Sequence, residues 1–247
     1  MKLKLIAAAS CLALSSIANA AINPGSDYAQ SGELILSVWD DSTTTSYTLD
    51  LGVVTREFDG NATYVYDLSV DQNWIEFSGG AESMTWDVAG SDRDSAVPST
   101  NGVLTTAKIG GEASVTAVGY NMFNTMQTKV EQYIQLLDGI VYDYTANESY
   151  FISGGGYAGS TGTWGAFAGN FNFTTATYGD SLEFWTLTTT GNSRRKQGEY
   201  QQHAGLWTLA DNKLIYTAAA PVPVPAAVWL FGSALAGLVG VSRRKRS

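Results

Sequence analysis

The stretch Ser46–Val54, with the sequence SYTLDLGVV, decides the fold class. Its apolar side chains occupy every second position: Tyr47, Leu49, Leu51 and Val53. Successive side chains of a β-strand point to opposite faces, so this period predicts a half-buried strand. The same alternation recurs in Met84–Val88 and Leu182–Leu187, and short apolar runs predict strands at Leu34–Trp39, Tyr64–Tyr66, Asn73–Phe77 and Leu214–Tyr216.

Turn-forming clusters separate these candidate strands. Asp59-Gly60-Asn61 and Gly154-Gly155-Gly156 are two such clusters, rich in residues that tolerate tight turns. Many short strands at this spacing predict a mainly β fold, namely a single antiparallel β-sandwich or jelly-roll-like domain. We assign this domain to residues 21–220, which is enough chain for one well-buried core.

One amphipathic helix is predicted inside the β-rich region. From Asn121 to Asp138 the apolar side chains follow steps of three and four: Met122, Met126, Val130, Tyr133, Ile134 and Leu137. Gly139 stands where a left-handed glycine would end the helix. The simplest interpretation is a helix that packs its apolar stripe on the sheet.

The first 20 residues have the parts of a Sec signal peptide. These are two lysines (Lys2, Lys4), an apolar run (Leu5–Ile17) and a small-x-small site (Ala18, Ala20) followed by Ala21. We expect signal peptidase to cut after Ala20. The chain is therefore predicted to be exported.

Cys11 is the only cysteine and lies inside the predicted signal peptide. A lipoprotein would use it as the lipidated residue, but Ala8-Ala9-Ser10 lacks the usual leucine and only six residues separate Lys4 from Cys11. After cleavage no thiol remains for a disulfide or a thiolate metal site, so the fold must rest on its core.

The exported domain is strongly acidic. Residues 21–220 contain 8 basic and 23 acidic residues, for a net charge of −15. Such a surface repels phosphate backbones, so we expect no nucleic-acid partner. The basic cluster Arg194-Arg195-Lys196 falls in a polar stretch and is interpreted as a solvated turn.

The C-terminal residues 221–247 have the composition of a membrane tail. Pro221-Val222-Pro223-Val224-Pro225 is followed by sixteen uncharged residues, Ala226–Val241, and then by Arg243, Arg244, Lys245 and Arg246. A helix of that length spans roughly 24 Å, slightly less than the hydrocarbon layer. The basic stop places the C-terminus in the cytoplasm. Small residues recur at a spacing that favours helix packing in lipid: Gly232, Ser233, Ala236, Gly237 and Gly240. A simple alanine-rich anchor is the alternative.

This tail resembles a PEP-CTERM sorting domain, in the variant that begins Val-Pro-x-Pro-Ala. The resemblance covers Val222, Pro223, Val224, Pro225 and Ala226, the apolar run to Val241 and the basic stop. It implies a Gram-negative bacterium that makes extracellular polysaccharide, and an exosortase that recognises and removes the tail. The usual motif has glutamate where Val224 stands, which leaves the exosortase type and the position of the cut open.

Residues with catalytic or metal-binding chemistry form no recognisable motif. His203 is the only histidine, and no Gly-x-Ser-x-Gly elbow accompanies it, so we interpret it as exposed or hydrogen-bonded. Calcium ligation at Asp40-Asp41 or at Asp92 and Asp94 is the alternative to ordinary surface turns, because neither pair continues into a known calcium loop. We expect no cofactor and no metal site.

Aromatic residues leave carbohydrate binding open. Residues 21–220 contain six tryptophans and thirteen tyrosines, and Trp164 in Gly162-Thr163-Trp164-Gly165 is predicted to lie outside the core and to contact a sugar. We therefore expect a non-enzymatic protein that starts as an inner-membrane-anchored precursor and ends in the cell envelope or extracellular matrix. The alternatives are an exopolysaccharide-binding β-sandwich and, more remotely, a glycoside hydrolase, which needs two facing carboxyl groups.

Overall fold

The computed structural model describes residues 32–92, 102–140, 149–171, 173–188 and 198–219. The predicted signal peptide and the predicted sorting tail lie outside these residues. Among the residues that are described, no helix combines the length and apolar character needed to span a bilayer.

The described strands belong to a single antiparallel sheet. They are β1 (Glu33–Asp40), β2 (Thr45–Val54), β3 (Tyr64–Asp67), β4 (Thr85–Asp92), β5 (Gly102–Lys108), β6 (Ser149–Ser153), β7 (Ala176–Thr177), β8 (Ser181–Thr188), β9 (Glu199–Ala210) and β10 (Lys213–Thr217). Their order is β3-β10-β9-β8-β5-β4-β1-β2-β6, and β7 pairs with β4. The predicted mainly antiparallel β fold is confirmed. The predicted sandwich or jelly roll is not, because the described strands form one sheet and not two facing sheets.

The sheet curls into a half-barrel. The curl brings β3, at one edge, close to β2, which is the second strand from the other edge. The Tyr66 hydroxyl of β3 donates to the carbonyl of Leu51 in β2 at 2.8 Å. The inner face of the curl holds a core rich in aromatic rings, including Tyr47, Trp86, Phe184, Trp207 and Tyr216, all fully buried.

Helices cover the outer face of the sheet. They are α2 (Glu112–Val115), α3 (Tyr120–Ile140) and α4 (Trp164–Phe171). The predicted stripe on α3 is confirmed, since Met126, Val130, Tyr133, Ile134 and Leu137 are buried and Met122 packs against them. The helix continues through Gly139 to Ile140, so the predicted glycine cap is wrong.

The prediction of a strand at Asn73–Phe77 is also wrong. These residues lie in helix α1 (Gln72–Gly80), which closes the open side of the curl. The Asp71 side chain caps the helix by accepting from the backbone N–H groups of Asn73 at 2.9 Å and Trp74 at 3.2 Å. A helix puts Trp74 and Phe77 on one face, and both are buried in the inner core. The sequence signal for this helix is Asp71 at the N-cap position, followed by the apolar residues Trp74 and Phe77 three positions apart.

Candidate functional site

A cavity of about 260 Å³ opens at one rim of the half-barrel. We call it the mouth cavity, and its lining residues are Thr55, Arg56, Phe58, Asp92, Gly102, Leu104, Thr186, Thr188, Gln201 and His203. They come from the ends of β4 and β8, the starts of β5 and β9, and the segment after β2. Barrel mouths are frequent ligand sites, because side chains from many strands converge there.

The strand register explains why the inner face is open at this rim. Gly102 of β5 lies between Asp92 of β4 and Thr188 of β8, so the row has no side chain at its centre. In the next row Leu104 lies between Gly90 and Thr186. The row of Gly102 is therefore open, whereas the space over Gly90 is filled by the Thr55 methyl group and the Leu34 side chain.

An ion pair forms one wall of the mouth cavity. Arg56 follows β2 in a short 3-10 turn (Thr55–Glu57), and two of its three guanidinium nitrogens, Nε and Nη2, donate to the Asp92 carboxylate. Asp92 is almost fully buried, whereas the Arg56 side chain is 37% exposed. From the outer face, the buried Gln127 amide donates to the carbonyl oxygens of Asp92 and Gly102 at 2.9 and 3.3 Å. These bonds fix the two strand ends that carry the cavity.

His203 forms the opposite wall. Its Nε2 lies 2.7 Å from the Thr186 hydroxyl, and burial lowers the pKa of the imidazole. The ring is therefore neutral at pH 7. The interpretation of His203 as a hydrogen-bonded residue is confirmed. The serine-histidine geometry of a hydrolase is not formed, because the partner is a threonine within the sheet and no carboxylate orients the ring in the described contacts.

The Phe58 ring forms the apolar side of the mouth cavity. It packs edge-on against Phe184, His203 and Tyr216, with centroids 4.8, 5.0 and 5.1 Å away, and stacks on Tyr64 at 5.3 Å. Edge-to-face contacts of this kind stabilise aromatic clusters beyond their buried area. The ring is thus held rigidly beside the polar wall.

Two other cavities have larger volumes than the mouth cavity. A threonine-lined groove of about 410 Å³ is formed by Thr85, Lys108, Ile109, Thr175, Ala176, Thr177, Asp180 and Ser181. A glycine-lined cleft of about 430 Å³ is formed by Trp39, Asp41, Gly159, Thr161, Gly162, Gly165, Ala166, Phe167 and Gly169. The described residues contain no cluster of three His, Cys, Asp or Glu side chains that could hold a metal ion.

Asp40, the first candidate calcium ligand, has a structural role. Its Oδ1 accepts from the Ser42 amide and hydroxyl at 2.8 and 2.7 Å, and its Oδ2 accepts from the amides of Glu82 and Ser83 at 2.6 and 3.0 Å. Burial raises the pKa of Asp40, but the hydrogen bonds outweigh burial and hold it well below its usual value. All four bonds use carboxylate lone pairs that a calcium ion would need.

The structure gives partners for two of the three other aspartates that were candidate calcium ligands. Asp41 is exposed and accepts from the Tyr157 hydroxyl at 3.0 Å. Asp92 is paired with Arg56 in the mouth cavity. Asp94 lies outside the described residues.

Trp164 is the first residue of α4 and is fully buried, so the prediction that it lies outside the core is wrong. Its indole N–H faces the Asp87 carboxyl in the outer core, but the two groups do not meet the geometry of a hydrogen bond. Burial raises the pKa of Asp87 by more than the indole N–H lowers it. Asp87 is itself fully buried, and burial raises its pKa well above the usual value. Trp164 therefore cannot stack on a sugar in this conformation.

The remaining predicted site residues fall outside the described residues. These are Ala18, Ala20 and Ala21 of the signal cleavage site and every residue of the tail from Val222 to Arg246. The basic cluster Arg194-Arg195-Lys196 is also outside them.

Comparison with known proteins identifies no relative. No family model, no curated protein and no solved structure matches the chain.

Proposed function

We propose that this chain is an exported, non-enzymatic protein of the cell envelope or extracellular matrix, sorted and processed by an exosortase. The observation that carries the proposal is the order of parts in the tail: Val222-Pro223-Val224-Pro225-Ala226, an uncharged run to Val241, and the stop Arg243 to Arg246. In this account signal peptidase cuts before Ala21, and the helix at about 226–241 anchors the precursor in the inner membrane with its C-terminus in the cytoplasm.

The polar groups of the mouth cavity support a binding role over catalysis. Arg56 is bonded to Asp92, and the neutral His203 is bonded to Thr186. A nucleophile or general base needs a group that is free to exchange a proton with a substrate. The three cavities are each lined by one carboxylate, Asp180, Asp92 or Asp41, whereas glycoside hydrolysis uses two.

Binding of extracellular polysaccharide is the second candidate function. The observation in its favour is the mouth cavity, in which hydroxyl and amide groups lie beside the rigid Phe58 ring. Carbohydrate sites combine such polar groups with an aromatic face. In this candidate, Phe58 replaces Trp164 as the aromatic contact.

Removal of the exosortase tests the sorting proposal. In a host strain that lacks the enzyme, we expect a larger, membrane-bound form of this protein, because the uncut helix keeps it in the inner membrane. The parent strain should release the shorter form to the envelope or the medium. Immunoblots of membrane and extracellular fractions distinguish the two.

A strain in which the tail is replaced by an unrelated single-pass helix is the matched control, and it should show the same membrane-bound form with or without the enzyme. Identical fractionation of the native chain in both strains would contradict the proposal and favour a permanent anchor.

A further inference from the structure

Thr55 carries a hydroxyl group that lacks a hydrogen-bond partner within the described part of the chain. The residue is 5% exposed, and its Oγ1 makes no hydrogen bond to any of the described residues. Its amide donates to the carbonyl of Gly32 at 2.8 Å, and its methyl carbon would lie 2.6 Å from a Cβ built on Gly90. The amide and the methyl group of Thr55 therefore already contact neighbouring residues, whereas the hydroxyl group makes no hydrogen bond to the described residues. Buried hydroxyls without a partner are rare, and this one belongs to a residue that lines the mouth cavity.

The charges of the lining residues balance. The guanidinium of Arg56 is neutralised by the Asp92 carboxylate through two hydrogen bonds. Burial lowers the pKa of His203, so the imidazole adds no charge at pH 7. The lining therefore offers donors and acceptors without net charge, which favours a neutral ligand over an anion or a cation.

The size and shape of the mouth cavity limit the ligand further. Its volume of about 260 Å³ is below the range of about 300–1,000 Å³ that is typical for drug-sized ligands. Phe58 and Leu104 supply an apolar side, while Thr186, Thr188 and Gln201 supply a polar one. A single sugar ring has the matching properties, because its C–H face is apolar and its rim carries hydroxyl groups that donate and accept.

We propose that the mouth cavity binds one neutral sugar residue, with the Thr55 hydroxyl as a buried hydrogen-bonding partner and Phe58 against the face of the sugar ring. This proposal rests on the carbohydrate-binding candidate and is independent of the sorting of the tail. The ligand is a free monosaccharide or the terminal unit of a polysaccharide, which share this chemistry.

Calorimetric titration of the full chain tests the proposal. The protein is purified in a polyoxyethylene detergent, because alkyl glycoside detergents present sugar rings of their own. The probes are D-glucose, D-galactose, D-mannose and N-acetyl-D-glucosamine, together with D-glucuronic acid and D-glucosamine as charged counterparts. We expect saturable binding of at least one neutral sugar. A charged counterpart with the same ring should bind at least about tenfold more weakly, because it brings an unpaired charge to a neutral site.

Thr55→Val separates a ligand-binding role from a structural one. Valine keeps the shape and removes the unpaired hydroxyl, so the melting temperature of the free protein should stay the same or rise. Affinity for the sugar should fall about tenfold, as expected for the loss of one buried hydrogen bond. Thr208→Val is the matched control, since Thr208 bonds to Ser181 at 2.7 Å, outside the mouth cavity, and should leave affinity unchanged.

Gln201→Ala provides a second variant in case Thr55→Val does not fold. Gln201 is exposed and lines the mouth cavity, so its truncation should weaken binding and leave the fold intact. A disaccharide that binds at least as tightly as its monosaccharide assigns the ligand to a polysaccharide end, and loss of binding assigns it to a free sugar. Both outcomes support the site.

The proposal is overturned if no neutral sugar gives saturable binding, if charged counterparts bind better, or if Thr55→Val and Gln201→Ala bind as the parent does. Cleavage of the tail by the exosortase would be unaffected by each of these results. Failure of the sugar site and failure of the sorting proposal are therefore distinguishable.

Discussion

Asp87→Asn is expected to stabilise the folded protein at pH 8 by on the order of 3 kcal/mol, because the parent must either bury an uncompensated charge or hold a proton that the unfolded chain releases. Asp87 lies in β4 and is fully buried against α4, and neither of its oxygens has a hydrogen-bond partner among the residues that the structure describes. The polar groups nearest in register and packing, including Ser37 and the Trp164 indole, carry no positive charge. Asparagine keeps the shape of the side chain and removes the charge.

The effect should depend on pH in a defined direction. Burial raises the pKa of Asp87 in the folded state above its value in the unfolded chain. The folded protein therefore holds this proton more tightly, and the contribution to stability is complete below about pH 4, near the unfolded pKa. It is lost as the pH rises toward the folded pKa. The gap between variant and parent should be small at pH 4 and should widen toward pH 8.

Thermal unfolding followed by tryptophan fluorescence at several pH values measures this gap. Asp211→Asn, the same substitution at an exposed position of the β9–β10 turn, is the control and should change stability by less than about 0.5 kcal/mol. A parent that is as stable as the Asp87→Asn variant at pH 8 would contradict the account of an uncompensated carboxyl group.

Asp40→Asn is expected to have the opposite effect, a loss of about 3 kcal/mol at neutral pH. The carboxylate accepts four hydrogen bonds, two from Ser42 in the β1–β2 turn and two from the amides of Glu82 and Ser83 in the segment before β4. An asparagine NH₂ group would face donors in either orientation. Burial alone would raise the pKa of Asp40, but the hydrogen bonds together have the larger effect and lower it. The contribution of the Asp40 carboxylate to stability is therefore present above the unfolded pKa near 4 and is lost as the pH falls through the lower folded pKa.

Urea unfolding of Asp40→Asn and Asp41→Asn provides a matched comparison of neighbouring aspartates. Asp41 is exposed and accepts a single bond from Tyr157, so its substitution should cost less than about 1 kcal/mol. Equal losses in the two variants would show that the bonds to Asp40 do not stabilise the turn.

The sequence predicts those elements whose periodicity and environment agree. In β2 the alternation of Tyr47, Leu49 and Leu51 matches a strand whose inner face is buried, and the stripe of α3 matches a helix on a sheet. Asn73–Phe77 misleads because five residues are too few to separate a period of two from one of 3.6. There the Asp71 cap determines the structure.

The predicted sandwich is not confirmed for a different reason, which concerns contacts between distant parts of the chain. Alternation gives the number and faces of strands, but the curl depends on which distant strands pair and on α1 closing the open side. The Tyr66 contact with Leu51 is of this kind. The glycines around Trp164 favour a position outside the core, yet Gly165 is needed for close packing, since a Cβ there would lie 2.6 Å from the Ala158 carbonyl oxygen.

The mouth cavity was not predictable from local sequence. Thr55, Asp92 and Gln201 are far apart in the chain, and none belongs to a motif. Only the register of β4, β5, β8 and β9 brings them to one rim. His203, the only histidine in the sequence, lines this cavity.

Intact-mass measurement of the protein from the envelope and extracellular fractions tests the central claim most directly. The account predicts a chain that begins at Ala21, because Ala18 and Ala20 direct signal peptidase, and that ends before the uncharged run Ala226–Val241, because the exosortase removes it. A mature protein that still ends at Ser247 in the presence of the exosortase would contradict the claim.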